Sequence, residues 1–241
     1  MTRARYDLAD KVASFQFFNW MVLAVARGAT RVIFDDRRMR TSKWTQDQIK
    51  RRLASILVPG AALGGLPVDF GDGGMDLASP LVEEFTSYIV AGGEYRRLRS
   101  VLPAATARYT ITLRRTERRP ERNSNEAAWR QFAEEIGAVV IEDWDVLPIG
   151  LLERVALYAG AEMNFFVTNG PMHLCSLTPY PMMAFGCPAA TGAFGRVGVL
   201  PGEQLPWALP NQRLIWEPDE LLAIRRNFKE WHERAADLHR P

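Results

Sequence analysis

The second half of the chain shows a regular alternation of short apolar runs and amphipathic stretches. Four runs have the length of buried strands and lie at 109–113, 138–141, 163–168 and 181–185. Two stretches between them, 126–136 and 150–159, carry apolar residues at helical spacing, and a final helix is predicted over 220–234. Strands that alternate with helices through short links predict a parallel sheet with helices on both faces.

The first half has a weaker pattern. Apolar residues at helical spacing predict helices over 8–27, 46–57 and 80–101. Residues 31–34 form one clear strand, and residues 56–59 are a candidate for a second. The glycine-rich segment 60–74 predicts an irregular loop.

These patterns predict an α/β protein with Rossmann-like parallel sheets in two halves. The segment LPAATA, residues 102–107, has the composition of a connection between them. We therefore divide the chain into a reduced N-terminal half, residues 1–105, and a C-terminal half with the terminal helix, residues 106–241.

The composition is that of an ordinary globular protein. Of the 241 residues, 47% are hydrophobic and 24% are charged. The 30 basic and 28 acidic side chains leave a net charge of +2, so the overall charge indicates no nucleic-acid partner. The apolar stretch 12–26 follows Asp7 and Asp10 and is interrupted by Gln16 and Asn19. This is typical of a core helix rather than a signal peptide or a membrane span, and we expect a cytoplasmic protein.

Cysteine and histidine are too sparse for a structural metal cluster. Cys175 and Cys187 match neither a disulfide framework nor a zinc-binding spacing, and the chain has three histidines. We expect both cysteines to be reduced core residues.

A turn after the predicted strand 163–168 is the first candidate site. The end of the strand, the turn and the start of a short helix comprise Thr168, Asn169, Gly170, Pro171, Met172 and His173. Pro171 suits the first turn of a helix, because its missing N–H has no intrahelical partner there. Free N–H groups at such a position favour an anion. The alternative is an ordinary crossover between strands, with His173 as a core residue.

A charged run after the predicted strand 109–113 is the second candidate site. It spans residues 114–119, RRTERR, and includes Arg114, Arg115 and Glu117. Guanidinium groups clamp phosphate with paired hydrogen bonds and neutralise a diphosphate leaving group. The alternative is a solvated charge run. Both candidate sites follow strands of one parallel sheet, so we expect them to open on the same edge.

Two carboxylates, Asp35 and Asp36, end the predicted strand 31–34. Open α/β sheets bind their ligands at this end of the strands, which makes the pair a candidate for catalysis. The alternative is a solvated turn.

The segment LLERVALYAGAEMNFFVTNGPMHLCSLTPYPMMAFG resembles the donor-binding half of GT-B glycosyltransferases. It is most similar to the ADP-heptose:lipopolysaccharide heptosyltransferases, in which an Asp-Thr-Gly-x-x-His turn joins a strand to a helix. Gly170 and His173 match that motif, whereas Thr168 replaces its aspartate and Asn169 replaces its threonine. The Arg-Arg-Thr-Glu run is similar to the Arg-Arg-x-Asp motif of GDP-fucose-dependent transferases, with Glu117 at the acidic position. The resemblance covers about residues 109–186.

The resemblance implies a GT-B-like arrangement and transfer of a sugar from a nucleotide-diphosphate donor to a glycan or other acceptor, in bacterial surface-polysaccharide synthesis. It implies that Arg114 and Arg115 clamp the pyrophosphate, that the turn and His173 contribute to the donor site, and that no metal or other cofactor is required. The N-terminal half would be the acceptor side, and Asp35 or Asp36 would deprotonate the acceptor hydroxyl.

Two other functions stay open. The short first half and Thr168 favour a nucleotide-sugar or phosphate-ligand binding protein without turnover. The basic stretches 37–52 and 114–122 favour an interaction module for anionic lipid or nucleic acid, and with it peripheral contact with the inner membrane face. Trp207 and Trp216, if exposed, would favour a homodimer.

Overall fold

The computed structural model describes residues 2–11, 13–37, 39, 44–76, 102–117, 119–143, 149–186 and 199–238. These residues form two sheets, and every pairing between described strands is parallel. The predicted α/β class with parallel sheets is therefore confirmed. The helix predicted over 80–101 and the second cysteine, Cys187, lie outside the described residues.

The first sheet has four strands in the order β3-β2-β1-β4. They are β1 (Thr2–Asp7), β2 (Ala29–Asp35), β3 (Val68–Phe70) and β4 (Met75–Asp76). The prediction of a single clear strand in this half was wrong. Strand β1 escaped notice because only Ala4 and Tyr6 are buried in a segment that also carries Arg3 and Arg5. Strand β3 has only three residues and none of them is buried, so it lacks an apolar pattern.

The helices of the first half follow two patterns of sequence. Helix α1 (Gln16–Ala26) is nearly all apolar, and it is shorter than predicted because the chain turns at Phe15. Helix α2 (Gln46–Arg52) begins at a capping box that Thr45 forms with Gln48. It continues through a π-helical turn, Leu53–Leu57, into α3 (Val58–Leu63).

The candidate strand at 56–59 was therefore wrong, since these residues are helical. The π-helical turn shifts the hydrogen bonding so that Val58 N donates to Leu53 O. Pro59, which has no N–H to donate, follows this shift directly. The glycine-rich segment after it is only partly a loop, because it contains the end of α3 and all of β3.

The second sheet has five strands in the order β6-β5-β7-β8-β9. They are β5 (Tyr109–Arg114), β6 (Val139–Asp143), β7 (Met163–Val167), β8 (Met182–Phe185) and β9 (Gln212–Leu214). The first four confirm the predicted strands. Strand β9 was missed, because its three residues include Arg213 and carry no apolar run.

The helices of this half are α4 (Glu126–Ile136), α5 (Leu151–Gly160), α6 (Met172–Ser176) and α7 (Leu221–Leu238). All four agree with the sequence pattern. Gly137 ends α4 in the left-handed conformation, with φ of 66°, which a glycine adopts without strain.

The two halves share a hydrophobic core. One cluster of buried side chains includes Phe17 and Phe18 of α1, Leu57 and Ala61 near the start of α3, and residues of α5, α6 and β7. A second cluster lies under α4 and α7 and contains Trp129, Phe132, Phe165 and Phe185. Because α1 also contacts α6, the first half packs directly on the second. The boundary at residues 105 and 106 stays a prediction.

Two further expectations bear on partners. Trp207 is buried, and Trp216 is partly buried and donates its indole N–H to Glu203 O. The expectation that these tryptophans are exposed was wrong, so they do not favour a homodimer. Cys175 is a buried free thiol, as predicted. Among the described residues, no helix is long and apolar enough to cross a membrane.

Candidate functional site

The order of strands in the second sheet places a crevice between β5 and β7. The chain passes from β5 to β6 on one side and then returns to β7 on the other. Open α/β sheets bind their ligands at such a reversal, outside the carboxyl ends of the strands. The arginine loop, residues 114–125, follows β5, and the Asn-Gly turn, residues 168–171, follows β7. The structure thus brings the two candidate sites of this half to one crevice.

The arginine loop is braced by two of its own polar side chains. Asn123 Oδ1 accepts hydrogen bonds from Arg114 Nη1 and from Thr116 N, both at 3.0 Å, and its Nδ2 donates to Thr116 O at 3.0 Å. Ser124 Oγ accepts from Arg114 N at 2.8 Å, and Ser124 N donates to Arg114 O at 3.0 Å. These bonds hold Arg114 in place, so the run is not simply a solvated charge run.

The loop also carries Arg122, which lies in the basic stretch 114–122 but was not predicted as a donor-site residue. Arg122 ends a 3₁₀ turn, Pro120–Arg122, that begins after Arg119 in the left-handed conformation. Arg122 Nη2 donates to Thr168 O at 2.9 Å and so joins the arginine loop to the Asn-Gly turn. Its Nε is buried without a hydrogen-bond partner among the described residues. A Pro within a polar loop was the only local signal of this turn.

Positive charge is concentrated in this loop. Burial lowers the pKa of Arg114, and the neighbouring Arg122 lowers it further. Burial likewise lowers the pKa of Arg122, with a further contribution from Arg119. Half-buried guanidinium groups that repel one another favour an anionic ligand, because a phosphate would relieve both the burial and the repulsion.

Two other predicted residues of this run lie elsewhere. The guanidinium of Arg115 is 60% exposed, and its Nη1 is 3.9 Å from Glu126 Oε2 at the start of α4. Glu117 is exposed. Their predicted roles in the donor site stay predictions, and the geometry favours Arg122 over Arg115 as the partner of Arg114.

The Asn-Gly turn has the predicted form of strand, turn and helix. Thr168 Oγ1 donates to Gly186 O at 3.0 Å, and Asn169 Oδ1 accepts from Met172 N at 3.3 Å. Pro171 precedes the first residue of α6. Thr168, Asn169 and Met172 are 5%, 8% and 2% exposed, so the turn is buried rather than open. Asn169 Nδ2 is buried and has no partner in the described part of the chain.

His173 lies in the first turn of α6, next to this buried turn. Its Nδ1 is buried and finds no hydrogen-bond partner among the described residues. Burial lowers its pKa from 6.5 to about 4. The imidazole is therefore neutral at pH 7 and adds no positive charge for a phosphate. Its predicted catalytic role stays a prediction.

The first half covers Gly170. A Cβ atom added to Gly170 would lie 2.5 Å from Cδ2 of Phe15, so the phenyl ring rests on the glycine backbone. Phe15 belongs to the connection between β1 and α1. Leu8, in the same connection, donates its N–H to Asp35 O at 3.0 Å. One connection thus contacts the carboxyl edges of both sheets.

The predicted base Asp35 forms a hydrogen-bonded ion pair with Arg37. Asp35 is 4% exposed, and Arg37 donates to its two carboxylate oxygens at 3.0 and 2.8 Å. These hydrogen bonds lower the pKa of Asp35. Arg37 also pairs with Asp72 at 2.5 Å. A carboxylate of lowered pKa is a weaker base, whereas Asp36 is partly exposed.

A buried ion pair at the end of β6 was also missed. Arg154, on α5, is completely buried, and its Nη1 is 3.0 Å from Asp143 Oδ1. Its Nη2 donates to Glu142 O at 3.4 Å. An arginine in a helix such as LLERVALYAG is usually expected at the surface. The sequence therefore did not predict the ion pair of Arg154 with Asp143. Among the described residues, no group of three or more His, Cys, Asp or Glu side chains is arranged to hold a metal ion.

Comparisons with known proteins match this chain by structure and not by sequence. No protein-family model matches it, and no curated protein matches it. Among solved structures, E. coli heptosyltransferase WaaC with ADP-2-deoxy-2-fluoro heptose aligns with 95% of this chain and 99% of that chain, at 12% sequence identity and a TM-score of 0.46. At this level of similarity the likeness does not extend to individual residues or to chemistry.

Proposed function

We propose that this protein is a glycosyltransferase that takes a sugar from a nucleoside-diphosphate donor. The observation that carries the proposal is the pair of half-buried guanidinium groups, Arg114 and Arg122, at the crevice between β5 and β7. Both are held by hydrogen bonds within a braced loop, and Arg122 spans the crevice to Thr168 O. The negative charge of a diphosphate suits two neighbouring guanidinium groups, which bind phosphate oxygens through paired hydrogen bonds.

The proposed reaction needs positive charge at the leaving group. As the acceptor oxygen bonds to the anomeric carbon, the bond from that carbon to the diphosphate oxygen breaks, and the electron pair leaves with the diphosphate. Arg114 and Arg122 would stabilise the charge that develops there, because preorganised donors in a partly buried site act strongly on it. Two arginines can supply this charge, and the proposal therefore includes no metal ion or other cofactor.

The acceptor hydroxyl must lose a proton in the same step. In the proposal the proton passes to a carboxylate at the edge of the first sheet, and Asp36 suits this role better than Asp35. Asp35 is occupied by Arg37 and has a lowered pKa, whereas Asp36 is partly exposed.

A thermal-shift experiment tests the donor site. UDP, GDP, ADP, CMP and their common sugar conjugates are added in turn, and the melting temperature is recorded. We expect one nucleoside diphosphate to raise it, because a ligand that binds only the folded state at 100 times its Kd stabilises that state by about 2.7 kcal/mol. The shift should disappear in Arg114→Ala and Arg122→Ala and persist in Arg115→Ala, the matched control. If none of these ligands shifts the wild-type protein, the donor site is wrong.

A second candidate function is nucleotide-sugar binding without turnover. The observation that favours it is the ion pair of Asp35 with Arg37, which occupies one of the two predicted bases. The two functions differ in what Asp36→Asn changes. For a transferase, this substitution should abolish sugar transfer and leave donor binding unchanged. If transfer is unaffected by both Asp36→Asn and Asp35→Asn, the base lies elsewhere, and if the wild type transfers no sugar, the binding function is the better one.

We further propose that the acceptor belongs to a bacterial surface polysaccharide and that the protein works in the cytoplasm, with peripheral contact at the inner membrane face. The support is the resemblance of residues 109–186 to heptosyltransferase donor-binding halves and the basic stretch 37–52. Cosedimentation with anionic and with neutral vesicles tests the contact. Binding to the anionic vesicles that falls steeply with salt would support it, and equal sedimentation with both would contradict it.

A further inference from the structure

Phe15 of the first half lies directly on the Asn-Gly turn of the second half. Relative to a Cβ added to Gly170, the Cδ2, Cγ and Cβ atoms of Phe15 would be at 2.5, 3.0 and 3.2 Å. Phe15 is 5% exposed, and its ring packs against Phe18 with centroids 5.8 Å apart. The ring therefore covers the backbone of Gly170 in the turn that joins β7 to α6.

Close in sequence to Phe15 and to Gly170, both halves contain buried polar atoms that have no hydrogen-bond partner among the described residues. Asn169 Nδ2 and His173 Nδ1 in the second half, and Asn19 Oδ1 in the first, are buried without hydrogen bonds among the described residues. Asn19 is four residues after Phe15 and therefore shares its face of the α1 region. Unpaired buried donors and acceptors disfavour this packing, so a conformation that gives them partners competes with it.

The segment before α1 is fixed in place by Arg52 of α2. Arg52 Nε donates to Ala13 O at 2.7 Å, and the Arg52 guanidinium lies 4.4 Å from the ring centroid of Trp44. Ala13 is two residues before Phe15. The position of Phe15 is thus set by α1 and α2, and a movement of that segment changes the cover over Gly170.

We propose that Phe15 is a gate over the Asn-Gly turn, closed in this structure, that must leave Gly170 before a nucleoside diphosphate binds. The inference rests on the proposed function for the identity of the ligand. It makes the closed protein autoinhibited, because the binding-competent fraction is the fraction in which the ring is displaced. The measured Kd then equals the intrinsic Kd divided by that fraction.

A disulfide tests the gate directly. In Phe15→Cys/Gly170→Cys the two Cβ atoms would start 3.2 Å apart, close to the mean of about 3.8 Å for a disulfide, and Gly170 is outside the left-handed region. The disulfide should hold the segment before α1 against the turn. After reduction, neither the bond nor the Phe15 ring covers the turn, so the site should be open. We expect UDP, GDP or ADP to bind at least 100-fold more weakly to the oxidised protein than to the same variant after reduction. Oxidised protein that binds as tightly as the reduced protein would overturn the gate. Phe15→Cys alone, oxidised and reduced in the same way, is the control.

Amide hydrogen exchange tests the gate independently of any ligand. Phe15→Ala should raise exchange at residues 168–174 at least tenfold over Phe18→Ala, the matched control, which removes a ring of the same cluster that packs on Gly60 instead. Similar exchange in the two variants would overturn the gate. If no nucleoside diphosphate binds the wild type, the donor function fails, and this exchange result still decides whether Phe15 protects the turn.

Discussion

The carboxyl edges of the two sheets carry similar residues and use them differently. At the end of β2, Arg37 pairs with both Asp35 and Asp72, so the positive charge of Arg37 is neutralised within that edge. At the end of β5, Arg114 and Arg122 lie together, half-buried, and each is repelled by another arginine. The arginine of the first edge is paired with acids, whereas Arg114 and Arg122 at the second edge are half-buried and lie close to other arginines.

This difference shows which feature of a charged stretch indicates a site. Both edges have arginines and acids in their sequences, so composition does not distinguish them. The distinguishing feature is the balance of charge after folding. The second edge also has an ion pair, Asp143 with the buried Arg154, and Asp143 attracts Arg114 as well.

The largest change in the free energy of unfolding is expected when the ion pair of Asp143 with Arg154 is broken. Arg154→Met leaves Asp143 buried without its cation, and removing one partner of a buried pair costs about 3–5 kcal/mol. Burial raises the pKa of Asp143, so the loss should be smaller at pH 5, where the carboxyl group can take up a proton, than at pH 8. Denaturant unfolding at both pH values measures it. The double variant Arg154→Met/Asp143→Asn should recover part of the loss; no recovery would contradict the role of the unpaired charge.

The second largest effect is a dependence of the free energy of unfolding on pH, which comes from His173. Its pKa is about 4 when folded and 6.5 when unfolded, so the unfolded state binds more protons between these values. Stability should therefore fall as the pH drops from about 6.5 towards 4, by about 2–3 kcal/mol at pH 4.5. Urea unfolding at pH 7 and pH 4.5, with His173→Gln as the reference, isolates this contribution. Identical pH dependence in the two proteins would show that His173 is not the buried neutral group described.

A smaller loss of stability is expected at the contact of Phe15 in the first half with Gly170 in the second. In Gly170→Ala the new methyl group would lie 2.5 Å from the Phe15 ring, and such overpacking costs about 1–3 kcal/mol. Phe15→Ala/Gly170→Ala should lose less than the sum of the two single variants, because the double variant has no clash. A coupling of about 1 kcal/mol or more in a double-mutant cycle is the expected result. Additive losses would mean that the two residues do not touch.

The smallest effect is expected at the first edge. Arg37→Ala removes the hydrogen bonds that lower the pKa of Asp35, so that pKa should rise towards its ordinary value. NMR titration of the Asp35 carboxyl group measures the change, with Arg31→Ala as the control, because Arg31 pairs with Asp69 instead. A pKa of Asp35 that stays unchanged would show that Arg37 does not stabilise the Asp35 carboxylate.

Much of the second sheet was predictable because its strands are buried on both faces. Residues 163–167 are buried throughout, and such strands read as continuous apolar runs. The first sheet was harder. Strand β1 reads TRARYD, and its two buried side chains alternate with arginines that give no strand signal. The helix over 56–59 was misread because a proline after an apolar run indicates a strand end unless the π-helical turn before it is known.

The sequence by itself determined the local form of the candidate site. An apolar run followed by Asn169, Gly170 and Pro171 specifies a strand, a turn and a helix start through backbone preferences that act over a few residues. The tertiary structure decided which side chains meet there. It selected Arg122 over Arg115, paired Asp35 with Arg37, and placed Phe15 on Gly170. Two of these contacts join residues 46 and 155 positions apart in the sequence, and the packing of whole elements, to which no local preference extends, brings such residues together.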